Sequence, residues 1–521
     1  KGLTLPNTLT MDNVSSVIKT ENTNLTIDQA LSLTSGSITS TGGTLSFSGG
    51  LTLGASGALD VTGSTLSVSG ALDLGSGTFI SSDNSSLDLQ AATTLSANDQ
   101  VTGQNPVTFE DVNFNGNVLT LGSASTHLKV NDALALSGIA LETGAGSLTL
   151  SGALALTDNA SLNSSGGTIT LVSGASAPSG TSISLPGTTL VLQNALSLTG
   201  ATLKTKNTTF TTNANALSLS NGSFLEVEGT QNLSGVVPDS TSTLRLTADA
   251  SINDSAALSV GTLDLSDFAL TLNDQMAGLS IAQPVTLDAA GEKILTGAAD
   301  LSLNGGISAT AGILSSTGGT LSLPIGATLA TGASFSTSNT TLNLGGSLAV
   351  AGTWSGSNTT SISLTDNASL SSTVALSLAS LQTNGHDFKL ASASTDLTIK
   401  NAFALSGSET LSTQGADLIF ESSADISPGS TLDVSGGGKL EFQLGGTDNG
   451  TINARNATFK IGSAYAVPGI LKTNGSTTWD LASNLDLSGG TLVLGGNPVV
   501  LDKVLTNNQT TFKLGEDATV T

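Results

Sequence analysis

Hydrolysis of a glycosidic bond needs two carboxyl groups facing one groove. In this 521-residue chain the candidates are Asp60, Asp73 and Asp486. Asp60 and Asp73 occupy outward positions, but on different short apolar triplets. Asp486 lies between Leu485 and Leu487 with no acidic partner one repeat away. A lyase acting on an acidic sugar needs Lys or Arg, commonly with Ca2+, and 15 Lys plus Arg stand against 39 Asp plus Glu. Of the two histidines, His127 in "STHLKV" reads as a surface residue and His386 in "NGHD" as a loop residue. Ser and Asp are plentiful, yet no G-x-S-x-G elbow lies between a strand and a helix. Neither the D-x-[DN]-x-[DN]-G loop nor the G-G-x-G-x-D repeat of calcium sites occurs. "TDNGT" at Thr447–Thr451 and "TDNAS" at Thr157–Ser161 read instead as corners, their Asp and Asn bonding nearby backbone. The expectation is an enzyme-free reading: no catalytic, cofactor-binding or metal-ligating residue, and no cofactor.

Sugar platforms are equally sparse. Trp479 fills an apolar position in the triplet Trp479-Asp-Leu481, so it reads as core, while Trp354 in "GTWSGS" is open to either reading. An ice-binding face would need a uniform rank of Thr. The outward residues are Thr26, Ser32, Ser46, Thr52, Ser67, Asp73, Asp88, Thr149, Thr170, Ser184 and Ser197, a mixture into which Lys129 intrudes.

Net charge narrows the partners. At −24 the chain lacks the clustered cations that phosphate backbones require, which excludes a nucleic-acid binder. An anionic membrane surface would repel it. No run of 18 apolar residues occurs, so no membrane-inserting helix is expected. Without Cys there are no disulfides and no thiol chemistry. The chain starts at Lys1 rather than Met and carries no signal peptide, so a processed or excised piece is expected.

What would position any of these residues is a period. Leu45-Ser-Phe47, Leu66-Ser-Val68 and Leu87-Asp-Leu89 start 21 residues apart. Leu31, Leu51 and Leu72 form a second series, and Ile38, Leu59 and Phe79 a third. The rhythm returns at Leu148, Ile169 and Leu190, and at Leu321, Leu342 and Ile362. Each triplet is apolar–polar–apolar, the signature of a strand with one buried face. Gly, Ser and Thr interrupt any helical stripe. A disordered Ser/Gly/Thr chain is excluded by the 38% hydrophobic content and its regular placement. The fold class expected is all-β: a single long parallel β-helix (β-solenoid), right-handed, with three short strands per ~21-residue rung and about 25 rungs. At ~4.8 Å per rung this makes a stiff rod of roughly 120 Å. The stretches 91–117, 228–242 and 273–300 read as irregular rungs. Residues 1–24 are expected to be an N-terminal cap or junction segment, with Met11 and Val14 covering Leu25 and Ile27; residues 25–521 form the continuous solenoid.

The stretch "GGTLSFSGGLTLGASGALDVTGSTLSVSG" (Gly42–Gly70) resembles autotransporter-associated β-strand repeats and the solenoid regions of filamentous haemagglutinin-type exoproteins. The similarity is one of rhythm and composition and covers most of the chain. It implies a secreted or cell-surface bacterial exoprotein, often an adhesin or stalk. The function expected is a non-enzymatic extracellular structural element: a stalk, adhesin or fibre block. End-to-end self-association into a filament is the expected partnership, with a surface or glycan ligand as a further partner class. The alternatives are a polysaccharide-binding or polysaccharide-degrading β-helix and an ice-binding solenoid.

Overall fold

A triplet with apolar ends cannot shield itself; it needs a neighbour stacked in the same phase. The computed structural model provides that neighbour in parallel pairing along the chain. It is an all-β parallel β-solenoid of about 23 rungs roughly 21 residues apart, almost without helix. The residues described are 2–74, 77–81, 84–96, 107–212, 217–274, 276–474 and 476–495, with the backbone of Leu505–Thr506 and Thr511–Leu514. Two compact units are formed. The first comprises Lys1–Asp254 with Leu258–Asp264, the second Ser255–Ala257 with Leu265–Thr521.

In the first unit the sequence series become registers. Leu45, Leu66 and Leu87 align across adjacent rungs, as do Leu148, Ile169 and Leu190. Leu31, Leu51 and Leu72 align likewise, and so do Ile38, Leu59 and Phe79. Leu45, Leu66 and Leu87 are each 0% exposed. Fully burying such a side chain stabilises by roughly 1.5–3 kcal/mol. Leu31–Ser40 and Leu51–Asp60 are single strands long enough to cover two sides, and their pairing slips between Leu33 and Ser35. Such a bulge bends a strand around a corner without ending it.

Residues 1–24 differ from the irregular cap expected. Leu3–Leu5 and Thr10–Met11 pair with Leu25–Ile27 and Leu31–Ser40, and Val17–Thr20 pairs with the latter as well. Leu3 and Leu5, rather than Met11 and Val14, stack on Leu25 and Ile27. Met11 is buried beside Leu33, and Val14 is 74% exposed. The segment repeats the period-two alternation of every other rung, which is why it pairs as one.

The second unit keeps the same design. Leu321, Leu342 and Ile362 align in successive rungs. Its longer rungs help to reduce the count below 25: Lys293 aligns with Ala269, 24 residues before it, inside the stretch expected to be irregular. The first unit has a similar case, with Asp111 aligned to Ser86. The heptapeptide "STGGTLS" at 40–46 and 316–322 makes the same corner twice. Ser40 Oγ donates to Gly42 O at 3.0 Å, and Ser316 Oγ donates to Gly318 O at 2.9 Å. Gly43 (φ 77°) and Gly319 (φ 62°) both take left-handed backbone, and a Cβ on Gly319 would sit 2.4 Å from Ala298 O.

Candidate functional site

The corners carry most of the buried polar chemistry. Ser64, Thr188, Ser223, Ser242, Thr360, Thr395, Ser430 and Thr477 each close a tight turn, the backbone amide donating to the carbonyl three residues back. Each then leads into a strand, two residues before its first inward apolar side chain: Thr188 precedes Leu190, Ser430 precedes Leu432. Two residues is one strand period, so these hydroxyls point inward with the core. They are all buried, and there a polar group must find a partner. They find it in the preceding rung. Ser242 Oγ donates to Leu219 O (3.1 Å), Ser430 Oγ to Gly407 O (3.1 Å) and Thr477 Oγ1 to Ala454 O (2.9 Å). Thr188 reaches Ser164 Oγ (2.8 Å), and Thr360 reaches Thr337 Oγ1 (2.6 Å).

Two corners of the second unit use a carboxyl at this position. Glu292, two residues before Ile294, is buried, and its Oε2 accepts from the amides of Asp288 (2.6 Å) and Ala289 (3.1 Å). Glu409, two residues before Leu411, accepts at Oε1 from Thr383 Oγ1 (2.7 Å) and from the Ser406 amide; its Oε2 has no hydrogen-bond partner. Sequence reasoning missed these buried corner side chains because it counted only the apolar ends of each triplet as inward. The signal was present in the phase: counting back two from each inward Leu or Ile finds them.

Outward positions of the sheets form ladders. Lys204, Glu226, Arg245 and Asp264 align on one face of the first unit. Lys204 Nζ lies 3.4 Å from Glu226, and Arg245 lies 3.5 Å from Glu226 and 3.0 Å from Asp264, with its guanidinium 4.3 Å from the Phe224 ring centroid. The second unit repeats this with Glu441, Lys460 and Asp480 in register and Lys439 alongside. Lys439 Nζ is 2.9 Å from Glu441, and Lys460 Nζ is 3.5 Å from both Glu441 and Asp480. The hydrogen bond and charge of Glu441 raise the Lys439 pKa. Glu441 is lowered because its two lysines outweigh burial, the largest single influence and one that acts the other way.

The residues singled out for chemistry are kept apart. Asp60 aligns with Thr39 and Ile80 and accepts from the Thr62 amide (3.0 Å) and hydroxyl (2.7 Å). Asp73 aligns with Thr52 and Ser96. Asp486 aligns with Ala466, and hydrogen bonds from the Ser488 side chain and amide lower its pKa. His127 is half-buried on a strand, its Nε2 2.9 Å from Thr149 Oγ1; His386 follows a turn, its amide donating to Thr383 O at 2.9 Å. Trp354 is buried, donating from Nε1 to Thr337 Oγ1 (2.9 Å) against Phe335 (4.9 Å). Trp479 aligns with Phe459, its ring 5.6 Å away, and is half-buried rather than enclosed in the core. Asp158 and Asn159 of the first "LTDNASL" take left-handed backbone at a corner. The outward rank Thr26, Ser46, Ser67, Asp88 confirms the mixing of side chains on that face. Among the described residues no three of His, Cys, Asp and Glu lie within reach of one metal ion, and no helix is long and apolar enough to cross a membrane.

"TDNGT" holds a further buried acid. Asp448 is 0% exposed, and its Oδ1 accepts from the Gly450 amide (2.9 Å), as a corner Asp does. Its Oδ2 has no hydrogen-bond partner. The Tyr465 ring, 4.1 Å from that of Phe442, belongs to the following rung and donates from its hydroxyl to Ala424 O (3.2 Å). Burial, then the charges of Asp448 and Asp425, push the tyrosine's pKa well up. No family model, characterised protein or solved structure matches this chain. What the structure supports is the architecture alone, a parallel β-solenoid of repeated rungs.

Proposed function

We propose that the protein is a non-enzymatic extracellular structural element, a surface stalk, adhesin or fibre block whose copies stack end to end. The observation that carries this reading is the rung-on-rung design. Leu45, Leu66 and Leu87 stack in register with their backbones paired in parallel, so each rung presents the same edge and the same apolar phase to the next. A parallel edge of this kind is a template for another strand. The mixed Ser, Thr and Asp outer ranks fit a solvated, weakly charged surface.

Electron microscopy and sedimentation velocity on the purified chain test this. Concentration-dependent particles longer than one chain are expected. Only dispersed single chains at every concentration would overturn the assembly. A glycan screen with and without Ca2+ tests the non-enzymatic part, which turnover of any polysaccharide would overturn.

A further inference from the structure

Asp448 occupies a place built for an aliphatic side chain. It bridges to Ile426 of the preceding rung, and Ile426 itself aligns with Leu405. One rung later, Ala466 accepts the Asp448 amide (2.8 Å), and the next residue, Val467, is 0% exposed. Leu405, Ile426, Asp448 and Val467 thus run as one buried column, three aliphatic and one acid. The backbone around the acid is fully engaged, since Asp448 O also accepts from the Gly469 amide (2.8 Å). The side chain is not: a single amide serves Oδ1, and nothing serves Oδ2.

Among the described residues no cation offsets it. The titratable groups on the strands packed against it are Tyr465 and Asp425, with Asp486 one rung beyond Tyr465. Asp425 faces its own neighbour, accepting from the Thr447 amide (2.9 Å). On the adjoining side, Asp433 and Lys472 stand at half-exposed outward positions of their strands. An ionised carboxylate in an apolar column without a counter-ion is costly, and the group takes up a proton instead.

We propose that Asp448 is a proton-binding element of the core, holding the rungs around residues 424–469 most firmly when it is protonated and loosening them when it ionises. Burial pushes its pKa from 3.8 up to about 7, the Gly450 amide opposing. In the unfolded chain the group ionises near ~3.9. Between those values the folded form holds one more proton than the unfolded, so stability falls as pH rises. The contribution is complete below about pH 4 and lost as pH passes about 7.

The test is urea unfolding of the full chain at a series of pH values, followed by tryptophan fluorescence. Both tryptophans, Trp354 and Trp479, lie in the second unit, so the signal reports on it. One proton makes the unfolding constant climb by up to about tenfold per pH unit between pH 4 and 7. Asp448→Asn keeps the shape and removes the proton, so its climb is shallower than wild type by that factor. Equal climbs in the two proteins overturn the proposal. Should Asp448→Asn not fold, infrared spectroscopy of the wild type decides. A protonated-carboxyl band persisting at pH 6 and vanishing by pH 8 supports the proposal; no such band at pH 6 overturns it.

Discussion

The two units share a rung and differ in what fills it. Among the described residues the first unit holds one close aromatic pair, Phe79 with Phe109 at 6.0 Å. The second holds a run: Phe403 on Phe420 (5.0 Å), Phe420 on Phe442 (5.3 Å), Phe442 on Tyr465 (4.1 Å) and Phe459 against Trp479 (5.6 Å). The first unit closes its corners with hydroxyls such as Thr188 and Ser242; the second also uses Glu292 and Glu409 and admits Asp448 to a core column. Large rings add apolar contact to the second unit, while its buried acids cost desolvation. The same backbone period therefore supports two kinds of interior, because only the phase of each side chain is constrained.

The comparison can be broken most sharply at the rings. Phe442→Ala is expected to cost the second unit about 3–5 kcal/mol, read as a shift of the tryptophan-detected urea midpoint. Amide exchange in the first unit should stay at its wild-type rate, since distant sites act independently. The next largest difference is in pH. From pH 4 to 7 the second unit should lose up to about 4 kcal/mol through Asp448. Among the described residues of the first unit the shifted group is Asp239, lowered by its hydrogen bond from the Thr241 hydroxyl against burial. Its contribution has the opposite sign, present above its unfolded pKa and lost as pH falls. Amide exchange in the first unit against tryptophan-detected unfolding of the second, at pH 3, 5 and 8, should show the two trends.

Corner substitutions give a smaller contrast. Thr383→Val strips a hydroxyl donor from buried Glu409 and should destabilise the second unit by about 1–3 kcal/mol. Thr188→Val in the first unit leaves Ser164, which retains its bond to Gly166 O (2.7 Å), and should cost about 0.5–1.5 kcal/mol by thermal unfolding. The smallest effect belongs to the outer ladders. Lys460→Ala and Arg245→Ala should each cost at most about 1 kcal/mol, shrinking in added salt, because these groups are partly solvated.

The alternation of triplets made the fold legible. It predicts which Leu stands above which, as at Leu45, Leu66 and Leu87, because a one-residue slip would turn every apolar side chain outward. The stacking of Trp479 on Phe459 followed from the same count. Composition hid the corners: in a chain so rich in Ser and Thr, the buried Thr360 resembles the outward Thr170 until its phase is counted. Words alone mislead as well. "LTDNASL" makes a corner at 156–162, with Asp158 and Asn159 left-handed, while at 364–370 it runs inside the strand Ser361–Ser372. There the Asn367 side chain accepts from the Asp387 amide (2.8 Å), and the pairing slips between Leu344 and Gly346. Both copies bend the chain, the first through left-handed residues between two strands and the second through a bulge within one strand.

Register between adjacent rungs also governs how such a gene can change length. Removing residues 148–168 would bring Ile169 to the place of Leu148, above Leu128, with every inward side chain still in phase. A deletion of one whole period therefore removes one rung and leaves the remaining strands in register. Chains of this design can drift in length across generations at little structural cost.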